Sequence, residues 1–140
     1  MDIQLINDNL LSVLHWKAKE NERLRMNFDL RTTAEDTSQR MLNALEPGTV
    51  LPIHRHRTTS ETVVILRGRA TQEFYDDQGR LTESVTIAPG SDCVGMSIAK
   101  GRWHKLISHE SGTVILECKD GPYEPLGEED VLTALSEEKV

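Results

Sequence analysis

Residues 48–68 read GTVLPIHRHRTTSETVVILRG, and they constrain this chain more than any other stretch. Gly48 is followed by five residues, His54-x-His56, four residues, Glu61, six residues and Gly68. At ordinary residue usage five fixed positions at fixed spacing arise by accident about once in ~10⁵ chains of this length. Side chains alternate across an extended segment, so His54 and His56 share one face while Arg55 and Arg57 take the other. Four residues then allow a turn, and the returning strand opens with the Glu61 carboxylate. Two imidazoles and a carboxylate converging from neighbouring strands suit a divalent transition metal. Paired surface histidines and a solvated glutamate would explain the same residue types singly, but not the frame. A fourth ligand is expected from elsewhere, and His104 in AKGRWHKLIS is the best placed by sequence.

The rest of the chain indicates what kind of scaffold carries this frame. Its 140 residues suit one domain with a proper core. Sixteen basic against 23 acidic residues give a net charge of −7, which argues against nucleic acid or an anionic membrane surface as the main partner. No apolar run approaches the ~20 residues of a membrane span, and no basic flank with an apolar stretch suggests a signal peptide. Cys93 and Cys118 lack CxxC spacing, so neither a disulfide nor a zinc knuckle is expected, and a reducing cytoplasm is the expected location.

Ile6, Leu10, Val13 and Leu14 recur at helical spacing, predicting a helix over 6–23 with Asn7 or Asp8 as its cap and His15 on its surface. From there on, short strands and turns alternate. Strands are expected over 24–31, 40–45, 61–67, 69–75, 80–87, 92–98, 103–109 and 113–119, with the turns EPGT, DDQG, APG, AKGR and ESGT between them. Residues 128–139, EEDVLTALSEEK, read as a short C-terminal helix, partly frayed. The expected division is an N-terminal helical segment (1–23), a β-domain (24–123) and a C-terminal helix or tail (124–140). The spacing is that of an all-β sandwich or barrel.

The frame of residues 48–68 resembles the first motif of the cupin family. A partial second motif stands at 99–108, where the family's Pro-x-Gly-x-x-His-x-x-x-Asn keeps Gly101 and His104 but has Ala99 and Ser108 in the outer positions. More narrowly, NALEPGTVLPIHRH, ETVVILRGR, YDDQGRLTESV, GRWHKLI, GTVILE and KDGPY together resemble WbuC-type cupin-fold metalloproteins over roughly 25–123. The resemblance implies an all-β fold, a single cupin jelly-roll (double-stranded β-helix) barrel. It also implies a metal-binding protein, often a homodimer, with an association to O-antigen polysaccharide gene clusters. It supplies no reaction, because cupins include oxygenases, isomerases, epimerases, lyases and metal-free sensors.

The expected site is one divalent ion per chain, Zn, Fe, Mn, Ni or Co, on His54, His56, Glu61 and His104. Both cysteines lie outside this set, which favours an open site over a closed structural one. Lys119 and Tyr123, in KDGPY, are candidate substrate-binding residues, with Tyr123 also the candidate acid; Arg102 and Ser108 are further substrate-binding candidates. The plain alternatives are a solvated Glu117–Lys119 edge pair, a tied-down GPY loop, and packing for Trp103. Cys118 is expected to be small and buried, His109 exposed, and Val64 and Leu66 free to face a second copy in a dimer. Three functions fit: a metal-dependent enzyme on a small, oxygen-rich, anionic molecule such as a sugar derivative; an Fe(II)-dependent dioxygenase; or a non-catalytic ligand-binding or sensing module.

Overall fold

A computed structural model describes residues 2–132. It contains one helix, α1 (Asp8–Glu20), and eight strands: β1 (Arg25–Asp29), β2 (Ser38–Leu45), β3 (Glu61–Arg67), β4 (Ala70–Tyr75), β5 (Leu81–Ile87), β6 (Gly95–Ile98), β7 (Trp103–Ser108) and β8 (Thr113–Asp120). All pairings are antiparallel. The strands form a five-stranded sheet, β1-β2-β8-β3-β6, and a three-stranded sheet, β5-β4-β7. No helix among the described residues is long and apolar enough to cross a membrane.

The larger sheet uses both faces, and its alternation decides which residues go where. Leu42, Ala44 and Val114 face outward, and α1 covers them with Leu11, Leu14 and Ala18. That stripe runs at i, i+3, i+7, so the helix is turned from the periodicity read in the sequence: Ile6 and Val13 are exposed. Asn7 caps α1, its side chain accepting from the Leu10 N–H at 3.1 Å. The inner face packs Leu45, Val63, Ile65 and Ile115 against Ala70, Phe74, Ile87 and Leu106 around the other sheet. Alternation along β3 puts Leu66 on the α1 side, beside a register shift between Ile65 and Arg67, and there it packs against the helix-covered cluster. Leu66 is therefore not free to face a second copy.

Gly68 closes the β3–β4 turn with φ +85°, and a Cβ there would lie 2.6 Å from the Thr113 Cα. No other residue fits without moving backbone. The C-terminal expectation needs correction: residues 128–130 form a single 3-10 turn. Val131 then bridges to His54, and the Leu132 N–H donates to the Ile53 carbonyl at 2.9 Å. The remainder of the expected helix lies outside the described residues.

Candidate metal centre

The His-x-His segment is not a full strand. His54 alone bridges to His104 on β7, exchanging both backbone hydrogen bonds at 3.1 and 2.9 Å, and to Val131 on its other side. The Gly101 N–H donates to the His56 carbonyl at 2.8 Å, pinning the segment to the loop before β7. Arg55 and Arg57 point the opposite way, as alternation requires. Arg55 bonds Asp130 at 2.9 Å and lies 4.5 Å over the Trp103 ring; Arg57 bonds Glu129 at 2.6 Å and Asp130 at 2.8 Å. Trp103 itself packs with Ile53, Tyr75 and Leu132.

Three imidazoles come together, with ring centroids 4.4 Å apart for His54–His104, 5.0 Å for His54–His56 and 5.8 Å for His56–His104. Their ligand atoms lie within 4.8 Å of one another, close enough for one ion. Backbone carbonyls set the tautomers. The Nδ1 of His54 lies 3.1 Å from the Pro52 carbonyl and that of His104 lies 2.8 Å from the Arg102 carbonyl. A carbonyl only accepts, so each Nδ1 carries the proton and each neutral ring offers Nε2 as a lone pair. This is the second-partner arrangement that orients metal-binding histidines.

Glu61 opens β3, is 4 % exposed, and sets Oε1 2.7 Å from His104 Nε2 and 4.0 Å from His56 Nε2. With Nδ1 protonated, His104 Nε2 and a carboxylate oxygen are both acceptors, so contact at 2.7 Å requires a cation between them: a proton or a metal. Two further atoms of the cluster, His56 Nε2 and Glu61 Oε2, are buried with no hydrogen-bond partner among the described residues. Unpaired buried polar atoms are costly, and a divalent ion would satisfy both once His56 carries its proton on Nδ1. The residues fit a metal.

The electrostatics point the same way. Burial, with the neighbouring His104, lowers His54 to about 3. Burial and the Lys119 ammonium lower His56 to about 4. Both are neutral, as ligation demands. Burial alone would raise Glu61, but the hydrogen bond and charge at His104, with Lys119 and His56, hold it well below the usual carboxylate range.

The cluster lies at the wall of a cavity of about 990 Å³ between the sheets. Lys119 and Tyr123 both line it. β8 is the central strand of its sheet, so Glu117 and Lys119 are not a solvated edge pair. Lys119 stands opposite Glu61 in register and makes no ion pair among the described residues. Tyr123 is 60 % exposed, at the cavity's mouth. Two candidates are not brought to the cavity. Arg102 turns outward to Glu83 at 2.8 Å and over the Phe74 ring at 5.3 Å. Ser108, four residues past His104, donates to the Glu110 carbonyl at 3.2 Å. His109 is exposed, as expected, but His15 is half-buried, 3.0 Å from Ser111 Oγ. Cys93 and Cys118 are free thiols, each half-buried.

Four cavity residues were not legible as functional: Arg25, Asn43, Gln72 and Glu117. Asn43 donates to Glu117 Oε2. Burial, and then the Glu61 charge, push the Glu117 carboxyl up. The available signal was a polar residue at an inward position of a strand: Gln72 between Ala70 and Phe74, Asn43 between Met41 and Leu45.

Residues 6–87 match the family described as Domain of unknown function (DUF6016). The chain belongs to that family. No curated protein sequence matches the chain at a significant level. Among solved structures, this DUF6016 chain is similar to KdgF from Halomonas sp. at TM-score 0.57 and 12 % identity, over 71 % of this chain and 82 % of that one. It is similar to the capsular polysaccharide assembling protein CapF from Staphylococcus aureus at TM-score 0.61 and 18 % identity, over 75 % and 28 % of the two chains. A variant of Bacillus subtilis oxalate decarboxylase matches at TM-score 0.58 and 19 % identity, over 78 % and 28 %. The DUF6016 chain thus spans just over a quarter of the latter two. These likenesses establish the cupin fold.

Proposed function

We propose that the chain is a WbuC-type cupin metalloprotein of jelly-roll topology, an enzyme acting on a small, oxygen-rich, anionic molecule at one divalent ion. His54, His56, Glu61 and His104 hold that ion. The observation that carries the reading is the pair of buried polar atoms without a partner among the described residues, His56 Nε2 and Glu61 Oε2, beside two rings whose Nε2 lone pairs are fixed by backbone carbonyls. A bound ion supplies Lewis acidity toward a carboxylate or hydroxy-carbonyl oxygen. The protein's own groups do the rest. Lys119, which lines the cavity and makes no ion pair among the described residues, attracts the anion. Tyr123 closes the mouth and offers a neutral phenol as donor. The carboxyl of Glu117, pushed up by burial, holds a proton more readily than an ordinary glutamic acid.

The ligand set admits Zn, Fe, Mn, Ni or Co; Mn(II) centres are described for the oxalate decarboxylase that shares the fold. CapF's description as a capsular polysaccharide assembling protein supports a sugar-derived ligand from surface polysaccharide metabolism. Calorimetric titration of tag-free, metal-loaded protein with citrate, tartrate and sugar acids tests the reading. Binding that disappears on metal removal, and weakens about tenfold or more in Lys119→Ala, is expected. Equal binding after metal removal refutes it. Iron-dependent O₂ uptake would identify a dioxygenase instead, and tight binding without turnover a sensing module.

A further inference from the structure

Gln72 has no part in holding the ion. It lies on β4, is 2 % exposed, lines the cavity, and its Nε2 is buried without a hydrogen-bond partner among the described residues. In register it stands beside Leu106, while His104 stands beside Phe74. Its side chain is therefore diagonal to the His104 ring, roughly 7–8 Å away at the backbone, one layer further along the cavity wall. A buried amide N–H left in this state is costly. The other sheet also presents polar groups to this cavity. Asn43 and Glu117 both line the cavity, joined by the amide's hydrogen bond to Oε2, and Glu117 Oε1 makes no hydrogen bond among the described residues. One wall thus offers a donor and the other a carboxyl.

We infer that Gln72 and the Asn43–Glu117 pair form a hydroxyl-recognition subsite between the sheets, making the ligand a hydroxy acid rather than a simple carboxylate. The inference rests on the metal-directed, anionic reading above. An amide N–H donates only to an oxygen lone pair, and the Glu117 carboxyl complements a hydroxyl; a carbon-bound hydroxyl meets both. A methylene in the same place satisfies neither, and sites built to hydrogen-bond a hydroxyl reject analogues lacking it.

The test is calorimetric titration of metal-loaded protein with tartrate, malate and succinate, four-carbon dicarboxylates that carry two, one and no hydroxyl groups. Wild type should prefer tartrate to succinate. Direct chelation by an α-hydroxy acid contributes to that preference and survives mutation, so the readout is the part lost in Gln72→Met: about tenfold, the worth of one well-made hydrogen bond, with metal content unchanged. Gln72→Glu keeps the shape, replaces the donor with a carboxylate, and should weaken tartrate further; it serves alone if the methionine is not accommodated. A preference for tartrate that is unchanged in the folded variants overturns the subsite, as does equal binding of all three acids by wild type. If wild type binds none of them, the anionic metal-directed reading fails and the subsite with it.

Discussion

The 2.7 Å contact between His104 Nε2 and Glu61 Oε1 is the residue-scale key to the site. Both atoms are acceptors once Arg102's carbonyl has claimed the Nδ1 proton, so a cation belongs between them. Replacing His54 and His56 together by alanine should reduce metal content from one ion per chain to near none, read by elemental analysis. Undiminished metal would place the ion elsewhere. A second outcome concerns the metal-free protein and pH. In the unfolded chain the two imidazoles titrate near 6.5; in the folded chain His54 and His56 do so at about 3 and about 4. Between those values the unfolded state binds more protons, so stability is fully present above pH ~6.5 and is lost as the pH falls toward ~4. Glu61, lowered, adds the same sign below ~4.5. Glu117, raised, acts in the opposite sense: its contribution is present at low pH and lost as the pH rises through its folded value. The histidines dominate the window at roughly 3 kcal/mol each, so metal-free protein should lose on the order of 6 kcal/mol between pH 7 and pH 4 in denaturant titrations, less what Glu117 returns. A flat profile would mean that the rings are not held neutral by burial.

Among the elements, the β3–β4 turn is the one least tolerant of change, because Gly68 has both a positive φ and Thr113 backbone against it. Gly68→Ala should cost roughly 1–3 kcal/mol for the backbone conformation alone, and more for the clash. Thermal melts would show this as a clear drop, while a melting temperature within a degree of wild type would contradict the geometry. Some strands were legible from pattern: Met26 and Phe28 alternate with Asn27 and Asp29 along Arg25–Asp29, and Gly-containing turns punctuate the later strands. The metal ligands were legible because their spacing is local to one hairpin-like stretch plus one strand. Lys119's place in the cavity was reachable only through the resemblance, and its neighbour Glu117 passed for surface. An edge strand and a central strand read alike when both carry charge, and β8's central position depends on pairing with β2 and β3, which no local pattern encodes. Likewise α1's face was misjudged because propensity fixes the helix and the sheet beneath it fixes the rotation. The C-terminal segment read as a helix, yet the 131–132 backbone bonds to the His54 segment, a tertiary choice that overrode local preference.

For the whole molecule, the net charge of −7 means that no long-range field draws anions in; the proposed anionic ligand would depend on Lys119 and the ion locally. The expectation of a homodimer stands as a proposal, but Leu66 is used by α1. The large apolar side chains left exposed on the N-terminal arm and helix are Ile3, Leu5, Ile6, Val13 and Trp16. Light scattering at micromolar concentration should give twice the chain mass; a monomer counts against it. The relation of metal to fold is argued from where the core lies. Leu45, Val63, Ile65, Phe74, Ile87 and Ile115 close the inner core, and α1 closes a second on the outer face. Neither cluster includes a metal ligand. Folding therefore does not need the ion, unlike a small metallo-domain that is unstructured without it. An ion held by the folded arrangement of His54, His56, Glu61 and His104, as proposed, would stabilise by mass action, about 4 kcal/mol at ~1,000 times its Kd. For a chain of this size that corresponds to a melting temperature higher by on the order of 10 °C. Chelation should thus lower the melting temperature by about that much while leaving β-type circular dichroism intact at 25 °C. A random-coil spectrum after chelation would show that the two apolar clusters do not hold the sheets together by themselves.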